Sequence, residues 1–178
     1  MAVELAGLEL DVSYASRSPW VPGARLLAKW AEAALLAAPP TRPPRARASR
    51  TRPSRTPRGT RSPGRIVLSV RVVGKARSRS LNSHYRHKDR PTNVLSFAGA
   101  GSAPDGRDYL GELVICAPIV AMEARAQGKS LQAHWAHLTV HGVLHLLGFD
   151  HERARDAAKM ASREIQILDR LGISDPYR

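Results

Sequence analysis

A chain of 178 residues, 43% of them apolar, is long enough for one domain with a buried core, and it excludes disorder of the chain as a whole. Its single cysteine, Cys116, excludes an intramolecular disulfide framework and suits a reducing compartment. The net charge of +13 is unevenly placed: nine arginines between Arg42 and Arg65 stand with no acid among them, so bulk charge is weak evidence for a nucleic acid partner.

In chain order, Leu8-Glu9-Leu10-Asp11-Val12 alternates apolar and polar residues as a half-buried strand does. Pro22 and Gly23 open a helix whose face is Leu26, Leu27, Trp30 and Ala34. Residues 39–64 are rich in Pro, Arg, Ser and Thr and hold almost no large apolar group, so a disordered insertion within a single domain over 1–178 is expected. Ile66 to Val73 reads as a strand ended by Gly74, and Asn93–Phe97 and Leu110–Cys116 as two more. Pro118 suits the first turn of a helix ending near Gly128. Ser130 caps a helix from Leu131 to Leu147 that Gly148 terminates, and a last amphipathic helix spans about Arg153 to Leu171, with Met160, Ile167, Leu168 and Leu171 near one stripe. Strands early and helices late predict an α+β fold, a mixed sheet of about four strands packed against helices. No apolar run is long enough to cross a bilayer, and the N-terminus lacks the basic-then-apolar pattern of a secretory signal, so a cytoplasmic protein is expected.

The chemically informative stretch runs from His141 through Gly142, His145 and Gly148 to His151. Residues four apart on a helix lie one above the other, so His141 and His145 can present imidazoles to one point. A glycine at 148 can turn the chain back and bring His151 beside them. Three imidazoles with one open position is the pattern of a catalytic rather than a structural metal site. The spacing matches the metzincin pattern except that Gly142 stands where those peptidases carry their general-base Glu. His137, His141 and His145 are also stacked at fours, but a straight helix spreads them too far along its axis to aim all three at one ion, so His134 and His137 read as packing or supporting groups. A second dense stretch, Leu81 to Phe97, reads as a basic loop leading into a strand, in which Arg86 offers a fork of donors and Lys88 a point charge to a phosphate.

Together these stretches closely resemble the YbeY family of bacterial endoribonucleases. The likeness is carried by Leu81 to Phe97, Leu110-Gly111-Glu112-Leu113-Val114-Ile115, Gly128-Lys129, Ala133 to His137, the three-histidine motif, and Leu171-Gly172 with Asp175-Pro176-Tyr177. It implies a zinc-dependent endoribonuclease specific for single strands, acting in 16S rRNA 3′-end maturation and ribosome quality control at the small subunit. It implies one zinc ion on His141, His145 and His151, with His141 and Arg86 as catalytic residues. The chain departs from the family pattern at residues 39–64, at basic Lys75, Arg77 and Arg79, at Glu112, and in the basic run that follows His151. A metallopeptidase-like hydrolase and a non-catalytic ribosome-associated factor are the alternatives. A deaminase of the Cys-ligated class needs a cysteine pair that this chain lacks.

Overall fold

A computed structural model of the chain describes residues 1–5, 7–16, 18, 20–37, 66–102, 107–150 and 153–177. The segment 39–64 read as a disordered insertion lies outside the described residues, as does His151. Five strands and five helices follow one another as β1 (Ala2–Leu5), β2 (Leu8–Tyr14), α1 (Ala24–Ala37), β3 (Ile66–Val73), α2 (Lys75–Arg86), β4 (Val94–Ser102), β5 (Asp108–Cys116), α3 (Ala117–Ala126), α4 (Leu131–Leu146) and α5 (Ala154–Arg170). The sheet runs β1-β2-β3-β5-β4. Its three inner strands are parallel, and β1 and β4 close the edges antiparallel to their neighbours. The fold is α+β with a mixed sheet, as the pattern predicts.

Two elements differ from the sequence-based expectation. The sheet has a fifth strand, β1, which pairs Ala2 to Leu5 with Asp11 to Leu8. The stretch from Leu81 to Arg86 is not a loop but the second half of α2. That helix buries only Ser78 and Asn82, so it carries no apolar stripe from which a helical period could be read.

The strands sort their side chains by period two. Leu113 and Ile115 of β5 join Leu68, Val70 and Val72 of β3 in the main core, with α1, α4 and α5 against them. Val114 and Cys116 face the other way, with Val73, Leu95 and Ile119, where Leu81 of α2 covers them. Helix α4 is thus the central helix of one layer and α2 lies under the opposite face. Ser130 starts α4 by accepting the Ala133 N–H at 3.1 Å, which satisfies one of the donors a helix start leaves open. Its end is a tight reversal: Gly148 takes φ of 91° and the Phe149 N–H returns to the Leu144 carbonyl at 3.0 Å. A residue with a Cβ is strained at that φ.

Candidate metal centre

Four histidines, at 134, 137, 141 and 145, climb α4 as a ladder with ring centroids 6.3, 6.1 and 4.6 Å apart. His134 is buried; the other three are partly exposed. Each is held by an acceptor-only partner, which fixes where its proton sits. His134 Nε2 lies 2.9 Å from Glu123 Oε2. His137 Nε2 and His141 Nδ1 stand 3.3 and 2.7 Å from the two carboxylate oxygens of Glu164. His145 Nδ1 donates to the Phe149 carbonyl at 3.0 Å, a contact that exists because the turn at Gly148 folds the chain back on the helix.

Glu164 is the group that sequence reasoning missed. It is fully buried on α5 and also accepts the Tyr177 hydroxyl. Burial pushes its carboxyl up, but hydrogen bonds from His137, His141 and Tyr177, with the electrostatic attraction of the adjacent His141 ring, outweigh burial and hold it at about 2. It is therefore ionised at neutral pH, and its three neighbours must donate. The same carboxylate pushes the Tyr177 phenol up, after burial has done so. A signal for Glu164 did exist in the sequence: it falls on the stripe of α5 that Met160, Ile167 and Leu168 bury, where an unpartnered charge is costly.

With both Nδ1 atoms engaged elsewhere, His141 and His145 turn their Nε2 atoms toward each other at 3.1 Å. Two ring nitrogens at that distance need an electrophile between them, either a proton or a metal ion. The separation is close to the ~3.3 Å edge of a tetrahedron with zinc–nitrogen arms of ~2.0–2.1 Å. The residues present therefore fit a metal ion. A second grouping, His137, His141 and Glu164, places one ligand atom from each within 4.8 Å of one another and could also hold an ion. In that grouping the carboxylate already receives three donors, so the Nε2 side is the better coordinating face.

Beside the ladder is a cavity of about 400 Å³ lined by Asn93, Glu123, His134, His137, His141 and Tyr177, among others. Asn93 donates to Glu123 at 3.0 Å and ties the start of β4 to α3 and α4. Burial raises the Glu123 carboxyl, but the bonds from His134 and Asn93 outweigh it and leave it below the ordinary range. Arg86 is the last residue of α2 and exposed. No hydrogen bond or ion pair joins it to the histidines among the described residues. The turn that follows it is pinned: His87 takes φ of 56°, Asn82 donates to the Arg90 carbonyl at 2.7 Å, and Ser78 exchanges hydrogen bonds of 2.8 and 2.9 Å with Thr92. That turn delivers the chain to Asn93 at the cavity.

Gly142 faces away from the ladder. A Cβ there would stand 2.8 Å from Leu113 Cδ2 and 3.4 Å from Ser96 Oγ, so α4 lies on the sheet at this point. The position that carries the general base in metzincins is here a packing contact.

These features define an α+β protein in which α4 and α5 together carry a histidine–carboxylate cluster able to hold a metal ion. A family model described as Endoribonuclease YbeY matches residues 55–172. Among curated relatives, an Endoribonuclease YbeY of Stenotrophomonas maltophilia is 45% identical over 177 residues, 96% of this chain and 93% of the relative. Another, of Alkalilimnicola ehrlichii, is 59% identical over 119 residues, 65% of this chain and 70% of the relative. The chain belongs to the YbeY family. Among solved structures, the solution structure of TM1509 from Thermotoga maritima covers 95% of this chain and 99% of its own at a TM-score of 0.50 and 21% identity, a likeness of fold. No described helix is long and apolar enough to cross a membrane.

Proposed function

We propose that this chain is a zinc-dependent endoribonuclease that cleaves single-stranded RNA, with His141, His145 and His151 as the metal ligands. The family supports a nuclease, since the curated relatives are named for that activity. The observation that carries the metal reading is the pair of Nε2 atoms 3.1 Å apart with both Nδ1 protons engaged elsewhere. When bound, the ion supplies Lewis-acid chemistry for a phosphodiester.

The protein's own part is to hold the ligands and place charge. Glu164 and the Phe149 carbonyl keep His141 and His145 in the tautomer that leaves Nε2 basic. Arg86, at the end of α2 just before the pinned turn leading to the cavity, meets the negative charge that builds on the phosphoryl oxygens, and Lys88 adds a second cation. The substrate is read as 16S rRNA near its 3′ end, on the small subunit in the cytoplasm, within one domain that carries 39–64 as an insertion.

The test is incubation of purified protein with a single-stranded RNA, with and without chelator, beside His141→Ala. Cleavage that needs metal and fails in the variant is expected. RNA left intact at full metal load would refute the reading. Arg86→Ala should keep metal content and lose cleavage, whereas joint loss would make Arg86 structural.

A further inference from the structure

The carboxylate of Glu164 divides its acceptors: one oxygen serves His141, and the other serves His137 and the Tyr177 hydroxyl. Tyr177 does not belong to the helices that build the site. It comes from the tail beyond α5, and that tail is fastened at several points. Lys129 donates to the Pro176 carbonyl and the Tyr177 ring stands edge-on to His137 at 5.6 Å, while within the tail Asp175 accepts the Tyr177 N–H at 2.9 Å. Tyr177 as a residue is 56% exposed, so its ring contributes little apolar burial. What it does contribute is directional, a hydroxyl delivered to a carboxylate that water does not reach.

The last torsion of a glutamate is soft, and a buried carboxylate that turned would exchange its partners. With one oxygen occupied by Tyr177 and His137, the other is left facing His141 Nδ1. That arrangement sets the tautomer and the ring plane of His141, and with them the aim of Nε2 at His145. We infer that Tyr177 is a positioning residue for His141, acting through Glu164, so that the C-terminal tail completes the metal site from outside. The inference rests on the reading of His141 as a metal ligand. The plainer possibility is that the hydroxyl only fastens the tail, and the two differ in what they do to the imidazole.

The experiment uses the full chain carrying Tyr177→Phe, with Glu164→Gln beside it and Tyr14→Phe as control. Tyr14 loses a hydroxyl that donates to the Pro22 carbonyl at 3.0 Å, the same chemical change away from the histidines. Zinc affinity is measured by competition against a chelator of known strength, and the tautomer of His141 by imidazole nitrogen NMR on metal-free protein. Tyr177→Phe is expected to weaken zinc about fivefold, below the ~10–100-fold that loss of a ligand's direct hydrogen-bond partner costs. His141 should move from a single Nδ1–H tautomer toward a mixture, and Tyr14→Phe should change neither. Wild-type affinity and an unchanged tautomer in Tyr177→Phe would overturn the inference, even if Glu164→Gln fails to fold. A wild-type chain that takes no zinc would instead sink the metal reading, and the tautomer alone would then decide the role of Tyr177.

Discussion

Glu164 is buried and charged, and every neighbour that touches its oxygens donates to it. Replacing it with leucine removes the charge but takes the acceptor from two imidazole N–H groups and a phenol, which are only partly open to water. Each buried donor left without a partner costs ~1–3 kcal/mol, offset in part by the apolar area gained. Glu164→Leu should therefore lose about 2–4 kcal/mol in urea denaturation, and an unchanged midpoint would show that the donors find other partners. The histidines themselves separate by the same logic. His145 faces His141 through Nε2, whereas His134, about two helical turns before His141, is engaged by Glu123. Elemental analysis should find His145→Ala without zinc and His134→Ala with it. Equal zinc in the two variants would mean that the ion sits elsewhere on the ladder.

At the scale of elements, the site depends on how closely α4 approaches the sheet. Gly142 is the contact point, against Leu113 and Ser96. Alanine there gains helix propensity of about 1 kcal/mol but must displace a fully buried leucine, and overpacking costs ~1–3 kcal/mol. A net loss of up to about 2 kcal/mol is expected. Glutamate at 142 would be a buried charge against the sheet, so Gly142→Glu should unfold the domain rather than create a peptidase; a folded variant that cleaves casein would contradict this. A second tie joins α3, α4 and β4 through Glu123, whose carboxyl is depressed by His134 and Asn93. A depressed carboxyl stabilises the fold fully above its unfolded pKa of ~4.3 and loses that contribution as pH falls through the folded value. The stability difference between the wild type and Glu123→Gln should be largest at neutral pH and shrink below pH ~4. A difference that grows with acid would reverse the assignment. The helices α3, α4 and α5 were legible because each has a cap, a Gly or Pro punctuation, or an apolar stripe. Strand β1 was not, because four residues at an edge show too little alternation, and α2 was not, because its buried face is Ser78 and Asn82. The His141–His145 facing follows from spacing alone, whereas Glu164 reaches them only through the tertiary contact of α5 with α4, which no local period encodes.

At the scale of the whole molecule, the question is whether the excess positive charge acts as a bulk property or from a particular surface. Helix α2 and the turn after it expose Lys75, Arg77, Arg79, Arg86, Lys88 and Arg90. Asp89 is the sole acid among them, and Arg79 holds it with two bonds of 2.7 and 2.5 Å. The remaining five cations make no ion pair among the described residues. Tyr85, exposed and set against Phe97 at 4.8 Å, offers a ring among them on which a base could stack. This surface runs into the pinned turn that ends at Asn93 and the histidine cavity, so a strand bound there would be led toward the site. Helix α1 exposes Arg25 and Lys29 with no such connection, which provides a matched comparison. Lys75→Gln with Arg77→Gln, and Arg25→Gln with Lys29→Gln, remove the same charge from different places. If binding follows net charge, the two pairs weaken a single-stranded RNA equally. If α2 neutralises phosphates, its pair alone flattens the slope of log affinity against log salt, by about 0.7 for each phosphate of a single strand that is no longer paired with a cation. A slope lowered by roughly 1.4 in the α2 pair and unchanged in the α1 pair is the expected result, read by fluorescence anisotropy of a labelled oligoribonucleotide on chelator-treated protein so that cleavage does not intervene. Equal slopes in both pairs would assign RNA attraction to the total charge and leave α2 as a solvated face.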